Sequence, residues 1–216
     1  METNEKNPNA TPNRGRFIVF EGIDGAGKTT QIELLTRSLQ ASGRRVYRTA
    51  EPTESVSGGL LRDALAGISK RTPSEMAALF VLDRIFHNTN PVNGIEAMLA
   101  QGIDVICDRY YYSSLAYQGC ETDEAWVRSM NLDCPDIRRP DICIFLDLTP
   151  EESLARIGRG RVTTEIYETE ERLTRVRNQF FRVLDSLKDT ENICVVNAAR
   201  SVEEIAADIA SVIDRL

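Results

Sequence analysis

Eight consecutive residues carry the clearest chemistry in the chain. Gly22-Ile23-Asp24-Gly25-Ala26-Gly27-Lys28-Thr29 meets the pattern G-x-x-x-x-G-K-[ST], the P-loop. An apolar run, Phe17 to Glu21, precedes it, and Ile32, Leu35 and Leu39 follow at helical spacing. Such a strand–loop–helix lets glycines curl the backbone around a polyphosphate, with the loop N–H groups and the helix N-terminus supplying positive potential. Lys28 is expected to reach the β- and γ-phosphates, and the Thr29 hydroxyl to hold Mg²⁺. A second metal-holding group, acting through water, is expected at Asp108, where Cys107-Asp108-Arg109 ends another strand-like run. A P-loop alone names no reaction, because switches, motors, transporters and kinases all own one.

The elements that must position these residues alternate. Strands are expected over Phe17–Glu21, Val46–Ala50, Ile103–Cys107, Ile142–Asp147 and Ile193–Asn197. Between them lie helical patterns: from about Lys28 to near Gly43, from the capping box Thr72-Pro73-Ser74-Glu75 to about Asn88, on to Gly102, and around Glu121 to Asn131. Thr149-Pro150-Glu151-Glu152 is a second capping box. The helical pattern after it is interrupted from Gly158 to Thr164 and resumes to about Lys188. A last helix starts at Ser201, with Glu204 completing its box, and buries Ile205, Ile209, Val212 and Ile213. Alternation of this kind implies parallel strands with right-handed crossovers. The expected architecture is α/β, the P-loop NTPase fold: a five-stranded parallel sheet with helices on both faces and a short Arg-rich lid. Ligands in such folds sit beyond the carboxyl ends of the strands.

Several of the remaining polar residues fall at those ends. The set Phe17–Thr30, Glu51-Pro52-Thr53, Leu82–His87 and Asp108-Arg-Tyr-Tyr-Tyr-Ser-Ser-Leu-Ala-Tyr-Gln-Gly119, with Pro140–Glu151, resembles the thymidylate kinase family. The resemblance covers about residues 16 to 216, and the string beginning at Asp108 is its most specific part. It implies transfer of the ATP γ-phosphoryl to dTMP with Mg²⁺, in a homodimer. Arg109 and Arg62 resemble the clamp on the acceptor phosphate, a task suited to a guanidinium fork. Arg84 resembles the donor to thymine O4, with Phe80 one turn earlier as stacking platform or, on the plainer reading, core. Asp24 resembles the carboxylate that accepts from the sugar 3′-OH, Tyr117 the ring that crowds the 2′ position, and Ser114 a neighbour of the base. Glu51 joins them as an acceptor-site residue. Phe86 and Ile95 are candidate dimer contacts.

The family supplies its catalytic cation either from the P-loop, between the Asp and the Ala, or from the lid. This chain has Gly25 at the first place, so Arg159 or Arg161 is expected to serve, with Gly158 and Gly160 letting the loop close. Where the family usually carries an Arg close before the next helix, this chain has Ile166. His87, the only His, is read as structural and given no chemistry. Met76 and Met98 read as core.

Composition narrows the rest. The chain has 216 residues, a net charge of −7 and 27% charged residues. That length fits one domain, expected over 16–216 with its lid at about 156–168. The acidic balance suits no general nucleic-acid binder. No apolar run approaches the roughly 20 residues of a membrane span. The five cysteines form no metal-like or disulfide-like pattern, and Cys107, Cys143 and Cys194 read as buried strand residues in a reducing cytoplasm. Residues 1–15 read as a disordered tail or an alternative start. A guanine-reading N-K-x-D motif is absent from the sequence, which disfavours a switch.

Overall fold

The computed structural model describes residues 14–160 and 169–216. Five parallel strands form one sheet: β1 (Phe17–Glu21), β2 (Val46–Ala50), β3 (Asp104–Asp108), β4 (Ile142–Asp147) and β5 (Ile193–Asn197), in the order β2-β3-β1-β4-β5. β1 is central, pairing Phe17 with Val105 on one side and Ile18 with Ile142 on the other. All five of its residues are buried. Successive side chains point to opposite faces, so one strand feeds two cores. Phe17, Val19, Cys107, Cys143 and Phe145 face one layer; Ile18, Phe20, Ile106, Ile142 and Ile144 face the other.

The second layer is closed by α1 (Lys28–Ala41), through Ile32, Leu35 and Leu39, and by α9 (Val202–Ile213), through Ile205, Ile209 and Ile213. Val212 is only half-buried at its edge. The first layer is closed by α3 (Pro73–Thr89), α4 (Ile95–Ala100), α5 (Tyr111–Tyr117), α6 (Glu124–Leu132) and α8 (Glu170–Leu187). The boxes at Thr72/Glu75 and Ser201/Glu204 are both formed, each satisfying two orphan N–H groups. In the box at Thr149, the Glu152 N–H donates to the Thr149 hydroxyl, which itself donates to the Glu152 carboxylate at 2.8 Å.

The expected parallel sheet, covered on both faces, is present. The differences are local. β3 runs one residue later than its apolar run, because Asp104 is buried in the strand with Arg16 and Arg44 as partners. α6 starts at Glu124, capped by Asp123, not at Glu121. α2 (Val56–Leu65) and α5 were not anticipated. α7 (Pro150–Gly160) continues through Gly158, so the helical pattern is not broken there. Arg14 pairs with Asp141 at 3.2 Å and the Gly15 N–H donates to Leu99 O, which ties these two residues of the expected tail to the domain. Cys194 is half-buried, being on an edge strand, and all five cysteines are free.

Candidate active site

The P-loop leaves β1 and enters α1 at Lys28. Gly22, Gly25 and Gly27 all have positive φ, which non-glycine residues adopt only at a cost. At Gly25 the reason is also steric. A Cβ there would sit 3.0 Å from the Ser153 carbonyl and 3.3 Å from Ile157, both on α7. Ser153 donates to Asp24 O at 2.6 Å, and Arg156 donates to Ala198 O at 2.8 Å and Gly25 O at 3.5 Å. α7 therefore packs on the loop and crowds the point where a side chain at residue 25 would begin. Arg159 lies in the last turn of α7, and Arg161 lies outside the described residues.

Lys28 is buried and donates to two carbonyls of its own loop, Gly22 O at 3.0 Å and Ile23 O at 3.2 Å. Burial, with the neighbouring Arg109 charge second, lowers its pKa from 10.5 to about 8. Thr29, next in the helix, is exposed. Asp108 ends β3 beside the loop. Its Oδ1 is buried and has no hydrogen-bond partner among the described residues.

Arg109 follows, with φ 68. The turn is held from outside by Glu21, the last residue of β1. Glu21 is fully buried and accepts from Tyr110 N at 2.8 Å, Ser113 N at 3.0 Å and the Ser113 hydroxyl at 2.7 Å. This carboxylate thus caps α5 from a strand 89 residues earlier. Burial pushes its pKa up against those bonds and the Arg109 charge. The Arg109 guanidinium pairs with Asp24 at 2.5 Å, donates to Ser113 Oγ at 3.2 Å, and lies 5.6 Å from the Tyr117 ring centroid. Burial pulls its pKa down, but Tyr117, Asp24, Glu21 and Asp108 outweigh that and hold it above its ordinary value. The Tyr117 hydroxyl is buried without a hydrogen-bond partner among the described residues.

Asp24, Arg109 and Tyr117 line a cavity of about 500 Å³. That size suits a small ligand. Phe80, Met76, Arg84, Ser114 and Glu51 line it too. Phe80 thus stands in the cavity wall, and so does Met76, which had read as core. Arg84 is 1% exposed. It donates from Nε and Nη2 to Glu51 Oε2, at 2.8 and 2.5 Å, and from Nη1 to Ser114 Oγ at 3.2 Å and to Asn131 Oδ1. Four of its five N–H groups are so committed, leaving one on Nη2. Asp83, the adjacent residue, takes no part. It accepts from Thr53, Ser57 and Ser55; these bonds outweigh the upward push of burial and hold its carboxyl below the usual range.

Two expected residues are elsewhere. Arg62 does not line the cavity; it donates to the Thr53 carbonyl and faces Glu54 at 3.6 Å. Ile95 is fully buried in the core, so it cannot be a dimer contact, whereas Phe86 is 44% exposed. No motif in the sequence assigns a role to Glu21, Asn131, Arg71 or Arg172, yet Glu21 holds Arg109's turn, Asn131 holds Arg84, and Arg71 and Arg172 line the cavity. Arg71 sits directly before the Thr72 capping box and Arg172 pairs with Glu121 at 2.7 Å. Cationic residues beside a helix start were the available signal for both.

Known proteins resemble this chain over most of its length. The family model described as thymidylate kinase matches residues 20–209. A probable thymidylate kinase of Pyrococcus horikoshii is 39% identical over 206 residues, covering 93% of this chain and 96% of that protein. One of Methanococcus aeolicus is 38% identical over 198 residues, covering 90% and 93%. The solved thymidylate kinase of Candida albicans superimposes with a TM-score of 0.79 over 94% of this chain and 92% of its own, at 24% identity, a likeness of fold. The chain belongs to the thymidylate kinase family.

Proposed function

We propose that this chain transfers the γ-phosphoryl group of ATP to thymidine monophosphate, giving thymidine diphosphate and ADP. One observation carries the reading: a cavity of nucleotide size lined both by the Asp24–Arg109 pair, which ties it to the P-loop, and by the buried donor-only Arg84 side chain. Arg84 can only donate, so it suits the O4 carbonyl of thymine and opposes the amino group of cytosine. Phe80 provides an apolar face for the base, and Ser114 fixes Arg84 beside it. The unpartnered Tyr117 hydroxyl and the Asp24 carboxylate stand toward the sugar end.

An oxygen of the acceptor phosphate attacks the γ-phosphorus, and the bond to the β–γ bridging oxygen breaks. The second pKa of a phosphate monoester is about 6, so the acceptor is already a nucleophile at neutral pH and no general base is required. Lys28 and Arg109 offset the repulsion between two polyanions, and alignment does the rest. Mg²⁺ would be held by Thr29 and, through water, by Asp108, whose buried unpaired oxygen fits that task, and would neutralise charge on the β- and γ-phosphates. The lid cation is assigned to Arg159 or Arg161.

A second copy of the chain is proposed to pack on α2 and α3, two helices in contact with each other, where Val56, Leu60, Leu82 and Phe86 each expose an apolar side chain. Light scattering on the purified protein checks this; a monomer at micromolar concentration contradicts it. The free cysteines fit a reducing compartment, and the cytoplasm is the proposed setting.

A coupled assay with ATP and a panel of nucleoside monophosphates tests the activity. Turnover of dTMP well above that of dCMP, UMP and AMP is expected. Strong turnover of UMP or AMP with none of dTMP would sink the reading, and use of an unphosphorylated deoxynucleoside would leave Arg109 without its assigned task.

A further inference from the structure

His87 is a positioning residue for base recognition, we infer, acting through Glu51 on Arg84. The inference rests on the reading of Arg84 given above and adds a component to it. His87 lies one helical turn after Arg84 on α3 and is 5% exposed. Both of its ring nitrogens are engaged. Nδ1 is 3.0 Å from Glu51 Oε1, and Nε2 is 2.7 Å from Thr49 Oγ1. Glu51, itself buried, gives its other oxygen to Arg84 twice. Four residues from two elements and the loop after β2 therefore form one buried chain: Thr49, His87, Glu51, Arg84.

The chemistry orders the donors. The carboxylate paired with Arg84 accepts, so Nδ1 carries a proton and donates to Oε1, while Nε2 is held by the Thr49 hydroxyl. Without His87, Oε1 would be a buried acceptor with no partner among the described residues. Glu51 could then rotate, and with it the two bonds that aim the remaining Nη2 N–H of Arg84. Ser114 and Asn131 hold only Nη1, which leaves the guanidinium free to pivot about that end. His87 touches neither the cavity nor the P-loop, so its effect should fall on base binding and not on phosphoryl transfer.

The test compares His87→Leu, His87→Asn, Thr49→Val and Arg84→Met by steady-state kinetics with dTMP and dCMP and by thermal melting. The Asn side-chain amide reaches the position of Nδ1 and keeps the donor to Glu51. Loss of one buried hydrogen bond to a charged group predicts that His87→Leu raises KM for dTMP about 5- to 30-fold and lowers the dTMP-over-dCMP preference, with kcat changed less than about threefold. His87→Asn should recover most of both, to within about threefold of the parent, and Thr49→Val should lie between. A fall in melting temperature alone, with KM and base preference at parental values in His87→Leu and Thr49→Val while Arg84→Met raises KM, overturns the inference and leaves the reading of Arg84 standing. An Arg84→Met protein with parental KM and base preference overturns both. If His87→Leu does not fold, the same decision is taken from Thr49→Val and from His87→Gln, whose amide reaches the position of Nε2 and leaves Glu51 Oε1 without its donor.

Discussion

At the wall formed by α3, α5 and α6, the Arg84 guanidinium meets acceptors from Glu51, Ser114 and Asn131, all of them buried with it. At the P-loop end, Lys28 and Arg109 are tied instead to groups a phosphate would displace: the Gly22 and Ile23 carbonyls for one, the Asp24 carboxylate for the other. The first wall is finished by folding. The second, on the function proposed, is a set of placeholders, with two cations close enough that Arg109 helps depress the pKa of Lys28. Binding a rigid base needs donors already aimed; binding a polyanion needs cations that exchange partners when it arrives.

The largest break in this comparison should come from Lys28→Ala. Removing the one P-loop cation is expected to lower kcat by roughly 10²- to 10³-fold with dTMP binding nearly intact; equilibrium dialysis with labelled dTMP alongside initial rates checks both halves. Arg109→Ala should lower kcat/KM for dTMP by about 10²-fold, and Lys at that position should not restore it, because a point charge lacks the planar fork. Arg84→Met works on the other wall. It should raise KM for dTMP about tenfold and also cost stability, on the order of 3–5 kcal/mol, since the buried Glu51 carboxylate loses its cation and keeps only the His87 bond to Oε1; denaturant melts measure the second effect. Gly25→Ala should destabilise by about 1–2 kcal/mol through its positive φ and the close Ser153 carbonyl.

The smallest effect is on protons. With Lys28 at about 8 instead of 10.5, part of its charge is lost as pH rises past 8. A bound triphosphate favours the charged form and raises that pKa. ATP binding should therefore take up about half a proton per site near pH 8 and almost none from Lys28 below about pH 6.5. Calorimetry in buffers of different ionisation enthalpy reads this directly; proton release near pH 8 would mean Lys28 does not meet the phosphates.

The same contrast separates what the sequence disclosed from what it hid. Strands β1, β2, β4 and β5 and the P-loop are local: apolar runs, glycine spacing and capping boxes name them. α5 is not local, because Tyr-Tyr-Ser-Ser-Leu-Ala-Tyr has no strong helix signal and its cap comes from Glu21 on β1. α2 opens on Val-Ser-Gly-Gly, weak in helix propensity, and is tied down by Ser55 and Asp83. The wall proposed for the base is half-legible. Arg84, Ser114 and Phe80 came from the family resemblance, while Asn131 and the His87 bond to Glu51 depend on helices meeting in space. Arg62 was placed at the phosphate by resemblance, but its bond to the Thr53 carbonyl holds it outside the cavity. The depth of Gly25 against α7 could be read from no spacing.

The central claim is that one chain moves a phosphoryl group between two nucleotides and does not merely hydrolyse ATP beside a binding pocket. ATP labelled at the γ-phosphate, incubated with the enzyme and dTMP, tests it in one chromatogram. The account predicts label in the β-phosphate of dTDP, dependent on dTMP and nearly absent when dCMP replaces it. Label appearing only as inorganic phosphate, at the same rate with or without dTMP, would contradict it.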